Sequence, residues 1–222
     1  MFTVYTEDFG KIEVVGRSIR KISSKLRGGI STLWLSEIEF IEGKALKTLT
    51  DTVLIDNFLP IKTDPKKLKI AYRIAEISDN LLKKEEKDAA VWELVVKTII
   101  ALNDNSLPAV NYSWFYYYFF WNLAAILGYQ PEIYFCVHCR KRLRPERLRF
   151  SPRQGGVVCI SCSAPKGIAI DANTVKILRI ILKKDIGALM RLKTDNSHRE
   201  VFKKISTNFL SAVLYSEKLK NN

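Results

Sequence analysis

The sequence is poor in the residues and motifs from which catalytic sites are usually built. Its 222 residues include only two histidines, His138 and His198. It has no P-loop, no GxGxxG entering a helix, no GxSxG and no HExxH. The acidic residues are scattered along the chain, whereas a two-metal nuclease site needs clustered carboxylates. We therefore predict that the protein is not an enzyme.

Cysteine is equally scarce, and its four copies fall into two pairs, Cys136-Val137-His138-Cys139 and Cys159-Ile160-Ser161-Cys162. The pairs are separated by nineteen residues. A two-residue spacer lets both sulfurs of one turn reach a single ion, and two such turns complete a closed tetrahedral site. The spacing therefore predicts a structural Zn²⁺ whose ligands are Cys136, Cys139, Cys159 and Cys162.

Three other interpretations of the cysteines are open. Disulfides would suit an exported protein, but Met1 leads directly into strand-like sequence without a signal peptide, which favours the cytoplasm. A thioredoxin-like redox pair would need a βαβ context. A catalytic zinc would normally keep an open fourth position, and His138 could replace one cysteine as a ligand.

Charged side chains are missing from Ala109 to Pro131. This length would allow a membrane span, but polar residues interrupt it and its apolar residues are mostly aromatic. The pattern favours a buried helix from about Tyr112 to Leu127 over a membrane segment. The aromatic residues that we expect in the core, rather than in a base-stacking platform, are Phe115, Tyr118, Phe119 and Trp121.

Positive charge is present in excess. The 36 lysines and arginines outnumber the 23 acidic residues and give a net charge of +13. Such a surplus attracts polyanions but does not specify a fold. Nucleic acid is the first candidate partner and an anionic membrane surface is the second.

Two segments concentrate this charge. The loop from Gly16 to Gly29 has five basic residues and no acidic one, and the stretch between the cysteine pairs has seven basic residues against Glu146 alone. Arginine and lysine donate charge-assisted hydrogen bonds that suit phosphate. Alternatively, the first segment is an ordinary solvated loop and the second serves solubility. The candidate phosphate-binding residues are Arg17, Arg20, Lys21, Lys25, Arg27, Arg140, Lys141 and Arg142.

Strand patterns give way to helical patterns near residue 61. Four or five short strands in the first sixty residues predict a small barrel or curled sheet, with strands at Phe2–Tyr5, Ile12–Val15, Glu37–Phe40 and Leu46–Ile55. Helical spacing then runs from Asp64 to a charged break at 83–87, and a second helix begins at Asp88. Helical patterns return around Val175–Leu182 and Val201–Leu214.

With these residues in place, the chain resembles the bacterial recombination-mediator and DNA repair family RecO. The segments that carry the resemblance are Thr6-Glu7-Asp8-Phe9-Gly10-Lys11, Gly16-Arg17-Ser18-Ile19-Arg20-Lys21 with Ser24 and Lys25, Leu127-Gly128-Tyr129-Gln130-Pro131, and Phe150-Ser151-Pro152 followed by Gly155-Gly156-Val157-Val158-Cys159. They cover nearly the whole chain in order. Apart from the cysteine frame, only the ordered set is specific.

The resemblance implies an α+β multidomain protein. Its N-terminal OB-fold-like small β-barrel would span residues 1–61, and a helical domain would span 62–222 with an inserted four-cysteine zinc module at about 135–164. In relatives an additional strand usually precedes the position of Met1, so either the native chain starts earlier or this barrel closes differently. The 112–127 helix also lacks charged positions that many relatives carry.

The resemblance further implies non-catalytic binding of single- and double-stranded DNA, annealing of complementary strands, and a role in DNA damage repair and recombination. The implied partners are RecR, single-stranded DNA-binding protein (SSB) and, indirectly, the recombinase loaded onto gaps. The implied location is the cytoplasm, in association with the nucleoid. The alternatives are a zinc-ribbon RNA-binding or transcription-associated module, and a peripheral membrane protein that uses the aromatic helix.

Overall fold

The computed structural model describes residues 1–17, 19, 21, 24–44, 46–145, 147–162, 167–191 and 194–220. N-terminal strands are followed by helices, so the predicted mixed α+β class is confirmed. The chain forms two compact units, Met1–Tyr112 and Ser113–Asn222.

The first unit contains a four-stranded sheet. Its strands are β1 (Phe2–Thr6), β2 (Gly10–Val15), β3 (Leu35–Glu42) and β4 (Lys47–Asp56). Their order is β1-β2-β4-β3, with antiparallel pairing of β1 with β2 and of β3 with β4. The two hairpins meet through a short parallel pairing between β2 and β4. All four strands occur where the sequence predicted them.

One face of this sheet is covered by an apolar core. Ile12, Val14 and Leu49 are buried on the inward side, and Leu26 joins them from the segment between β2 and β3. The strands alternate as half-buried strands do, because successive side chains point to opposite faces. The basic loop, residues 16–29, is thus fastened to the sheet through Leu26.

Three helices complete the first unit: α1 (Leu59–Thr63), α2 (Pro65–Leu81) and α3 (Ala89–Asn103). Asp64 and Asp88 cap α2 and α3, since each carboxylate accepts backbone N–H bonds from the first turn. The starts of both helices and the charged break between them were predicted. Helix α1 was not predicted, because five residues give no helical period.

The segment between α2 and α3 docks onto strand β2. The Glu85 N–H donates to the Lys11 carbonyl at 2.9 Å, and Lys84 Nζ lies 2.9 Å from Glu13 Oε1. Gly10 has φ +64°, and a Cβ on it would lie 2.1 Å from the Glu86 carbonyl oxygen, so only glycine fits there. The first compact unit therefore extends beyond residue 61, and the predicted domain boundary at that residue stays a prediction.

The second unit is built around α4 (Tyr112–Ile126). Phe115, Phe119 and Trp121 are fully buried and Tyr118 is 4% exposed, so the prediction that these aromatics form core is confirmed. In the described part of the chain, no helix is long and apolar enough to cross a membrane.

Helices α5 (Ala172–Leu182), α6 (Ile186–Arg191) and α7 (Asn196–Lys220) follow in the second unit. Trp121 stacks on Phe209 of α7 with ring centroids 4.8 Å apart, and its indole N–H donates to Ser206 Oγ at 3.0 Å. Asn122 Nδ2 donates to the Ile181 carbonyl of α5 at 2.9 Å. Helix α4 thus packs against α5 and α7.

Replacing Trp121 with Ala should lower the free energy of unfolding by about 3–5 kcal/mol, because a buried aromatic leaves a cavity when it is truncated. The measurement is urea unfolding followed by circular dichroism. Tyr215→Ala on α7 is the control, because Tyr215 is 66% exposed and its loss should cost less than about 0.5 kcal/mol. Equal losses in the two variants would contradict the placement of Trp121 in the core.

Asp195 caps the N-terminus of α7. Its carboxylate accepts the His198 backbone N–H at 3.0 Å and the Ser197 hydroxyl at 2.8 Å, and it lies 2.6 Å from His198 Nδ1. The hydrogen bond from the His198 backbone, then those from Ser197 and the His198 ring, lower the pKa of Asp195 from 3.8 to about 2. The charged carboxylate therefore stabilises the folded state.

Because this folded-state pKa is lowered, the stabilisation is fully present above about pH 4 and is lost as the pH falls towards 2. Asp195→Asn should therefore flatten the fall in unfolding free energy between pH 4 and pH 2. The measurement is denaturant unfolding at several pH values. Glu200→Gln, an exposed change on the same helix, is the control. Parallel pH profiles for wild type and Asp195→Asn would contradict the assignment.

Candidate metal centre and nucleic-acid interface

The first cysteine pair lies at the turn of a short hairpin, Tyr134–Leu143, which we call the knuckle hairpin. Cys136 N–H donates to the Lys141 carbonyl at 2.9 Å, and Leu143 N–H donates to the Tyr134 carbonyl at 2.9 Å. At the turn, Arg140 N–H donates to the Cys136 carbonyl at 3.0 Å. These bonds fold Cys136 and Cys139 back towards each other.

The second pair lies between two strands of a small sheet with the order β6-β5-β7. Its strands are β5 (Leu148–Ser151), β6 (Gly156–Val158) and β7 (Ile168–Ile170). Cys159 comes directly after β6, and Cys162 N–H donates to the Cys159 carbonyl at 3.1 Å.

Two backbone bonds bring the cysteine pairs together. Val137 N–H donates to the Val157 carbonyl at 3.0 Å, and Val157 N–H donates to the Glu132 carbonyl at 2.9 Å. Gly156 permits this approach, because a Cβ there would lie 2.6 Å from both the Glu132 carbonyl oxygen and a Val137 methyl group. The first pair is thereby held against the strand that leads into the second.

The four sulfurs converge on one point. Their Sγ atoms all lie within 4.8 Å of one another, and those of Cys139 and Cys159 are 3.8 Å apart. Four sulfurs at about 2.3 Å from a tetrahedral ion would be about 3.8 Å apart, whereas a disulfide needs about 2.05 Å. The residues present fit a metal ion.

The cysteine thiols differ in acidity. Burial opposes ionisation of Cys136, but hydrogen bonds from the backbone N–H groups of Cys159, Cys139 and His138 lower its pKa to about 6. Hydrogen bonding to the Cys139 and Cys159 side chains, together with burial, raises the pKa of Cys162 to about 12. The site therefore favours one thiolate first, and a cation would favour the remaining deprotonations.

The basic residues of the knuckle hairpin face solvent. Arg140, Lys141 and Arg142 are all exposed. Within the described residues, none of the three forms an ion pair with a carboxylate. Glu146, the one acidic residue between the cysteine pairs, lies outside the described residues. The structure thus gathers three predicted binding residues in one turn beside the cysteines.

The basic loop, residues 16–29, gathers a second set. Arg17, Lys21, Lys25 and Arg27 are exposed, and Arg20 lies outside the described residues. Lys25–Gly28 forms one turn of 3-10 helix, and Thr52 Oγ1 donates to the Leu26 carbonyl at 3.2 Å. Lys25 and Arg27 therefore project from a turn that is fixed to strand β4.

Sequence comparison decides the family. Residues 1–58 match the family described as Recombination protein O N terminal, and residues 62–222 match Recombination protein O C terminal. The chain belongs to the RecO family. Among RecO relatives, the DNA repair protein RecO of Dehalococcoides mccartyi strain BAV1 is 32% identical over 87% of this chain and 75% of its own length. RecO of Thermoanaerobacter sp. strain X514 is 27% identical over 97% of this chain and 86% of its own length.

Sequence reasoning missed Arg179, which braces the knuckle hairpin. Arg179 Nη2 donates to the Ile133 carbonyl at 2.7 Å, and the guanidinium lies 4.6 Å from the Tyr134 ring centre. The partners are separated by 46 residues, so no local pattern signals the contact. It also missed Phe135, which is 45% exposed next to Cys136. The signal available in the sequence was an aromatic residue directly before the first cysteine pair.

Replacing Cys136 with Ser should remove the bound metal and lower the stability of the second unit, because a closed site loses one of four thiolates and folding is coupled to binding. The measurements are metal content by elemental analysis and thermal unfolding of the same sample.

Ser161→Ala is the matched control, because Ser161 is an exposed residue between two of the cysteines and is not a candidate ligand. It should keep the metal and the unfolding midpoint. Unchanged metal content and stability in Cys136→Ser would rule out a structural role for the four cysteines.

Proposed function

We propose that this RecO-family protein is a DNA repair and homologous recombination mediator that binds DNA without catalysing a reaction on it. It binds single- and double-stranded DNA without sequence specificity, anneals complementary strands and helps to load recombinase onto SSB-coated gaps. The observation that carries this proposal is the basic loop of a RecO-family chain, whose four described cations are exposed and form no ion pair with a described carboxylate.

The distribution of charge in the first unit supports the loop as the phosphate contact. Strands β3 and β4 carry the exposed acidic residues Glu37, Glu39 and Asp51. Glu39 and Asp51 are paired in register. Like charge repels phosphate from that face, whereas the loop offers four described cations. DNA is therefore expected at the loop rather than on the outer face of β3 and β4.

Binding through phosphates explains both low specificity and annealing. Phosphate contacts position a strand but carry no base information. Cations that neutralise phosphates on two strands lower the repulsion between them, which allows complementary bases to pair. The same loop would therefore serve single strands and duplexes.

The metal that we propose for the four-cysteine site is structural Zn²⁺. Four cysteine sulfurs in a closed set are typical of structural zinc rather than of a catalytic ion. The ion would hold the knuckle hairpin and the turn after β6 together. The proposed ligands are Cys136, Cys139, Cys159 and Cys162.

Further proposals rest on family membership. The N-terminal sheet, with its two hairpins joined by a parallel pairing, is proposed to be an OB-fold-like barrel over residues 1–61. The proposed protein partners are RecR and SSB, with the recombinase as an indirect partner. A cytoplasmic, nucleoid-associated location is proposed on the same ground.

The salt dependence of binding tests the proposal. If the basic loop engages about four phosphates, it should contribute about −3 to the slope of the logarithm of single-strand affinity against the logarithm of salt concentration. Replacing Arg17, Lys21 and Arg27 together with Ala should make the measured slope shallower by about 2, because three phosphate contacts are lost. Fluorescence anisotropy of a labelled oligonucleotide measures the slope.

A triple variant of Lys66, Lys69 and Lys83 to Ala is the matched control, because it removes the same charge from exposed sites on or beside α2. Its slope should equal that of the wild type. An unchanged slope in the loop variant would exclude the loop from the binding site. RNA that displaces single-stranded DNA completely at equal concentration would favour an RNA-binding function instead.

A further inference from the structure

Phe135 is an exposed aromatic residue on a braced piece of backbone. Its side chain is 45% exposed, and within the described residues its ring makes no ring–ring contact. Glu132 Oε1 accepts the backbone N–H groups of Tyr134 at 2.8 Å and Phe135 at 3.0 Å. The next residue, Cys136, belongs to the metal centre. The phenyl ring is thus exposed to solvent, while hydrogen bonds fix the backbone that carries it.

The surroundings of Phe135 are cationic. Phe135 and Arg142 are directly paired across the knuckle hairpin, and directly opposed residues of an antiparallel pair project to the same face. Arg140 and Lys141 occupy the turn between them and are exposed. Glu132, the acidic residue closest to Phe135 in the sequence, is already bonded to two backbone N–H groups.

The backbone at Arg140 adds a second observation. Arg140 has φ 59°, a left-handed conformation that glycine adopts at lower cost than any residue with a side chain. The turn therefore keeps a long cationic side chain where glycine would be less strained. Such strain persists only where the surrounding structure holds it, and it clusters at functional sites.

We propose that the knuckle hairpin is a contact for single-stranded DNA in which Phe135 stacks on an unpaired base while Arg140, Lys141 and Arg142 bind the flanking phosphates. Aromatic rings that alternate with cations bind unpaired strands, because every base has a π-face and stacking tolerates any sequence. The bases of a duplex are stacked on each other, so the ring gains nothing from duplex DNA. This inference rests on the proposed function and adds to it a site that discriminates single strands from duplexes.

Phe135→Ala tests the stacking directly. It should weaken binding to a single-stranded oligonucleotide about 5- to 150-fold, which corresponds to the loss of one stacked base. Affinity for a duplex of the same sequence should stay within about twofold. Phe135→Tyr should keep the wild-type affinity for single strands. The salt slope should be unchanged in all these variants, because no ionic contact is removed.

Two controls separate stacking from damage to the fold. Ile41→Ala removes another exposed large apolar side chain, from strand β3, and should alter neither affinity. Metal content, measured on each variant, should equal that of the wild type. Phe135→Trp provides a spectroscopic signature, since its added tryptophan emission should be quenched by single-stranded DNA and not by duplex.

The outcomes distinguish this inference from the proposed function. If Phe135→Ala binds single strands as the wild type does while the Arg17, Lys21 and Arg27 variant is weakened, stacking is overturned and the proposed function stands. If Phe135→Ala loses metal, or weakens single strands and duplex equally, its effect is structural and stacking is again overturned. If the wild type binds no DNA in dilute buffer, both are overturned.

Discussion

The convergence of four cysteine sulfurs is the constraint on which the second unit depends. Residues 136–139 and 159–162 are far apart in the chain, and the backbone bonds through Val137, Val157 and Glu132 bring them to one point. Four thiols so close together cannot all ionise unless a cation is present, because each thiolate repels the next. A bound ion would therefore stabilise the hairpin, its strained turn and the side chains that project from them.

The uneven distribution of charged side chains is the second feature on which DNA binding would depend. The net charge of +13 is not spread evenly, since the loop at 16–29 and the knuckle hairpin carry exposed cations while Glu37, Glu39 and Asp51 lie on the outer face of a sheet. Both cationic segments are fastened to a rigid element, by Leu26 in one case and by the cysteine centre in the other. Phosphate binding by preorganised cations needs little ordering of the protein.

Local sequence signals predicted most of what positions the candidate site. The spacing of the cysteines, the Asp64-Pro65 helix start and the alternation of Ile12 and Val14 each depend on neighbours within a few residues, and each is borne out. Contacts between distant residues could not be predicted in this way. The bond from Glu85 to Lys11 and the clamp of Arg179 on Ile133 arise only when the chain is folded.

The basic residues can be counted from the sequence, but whether they form a binding surface depends on the structural elements that position them. The most direct measurement of the central claim is annealing of complementary oligonucleotides by the purified protein, with the metal content determined on the same sample. We expect the metallated protein to accelerate annealing in dilute buffer and the effect to fade as salt is added. A fully metallated protein that neither retards any oligonucleotide nor accelerates annealing, even in dilute buffer, would contradict the account.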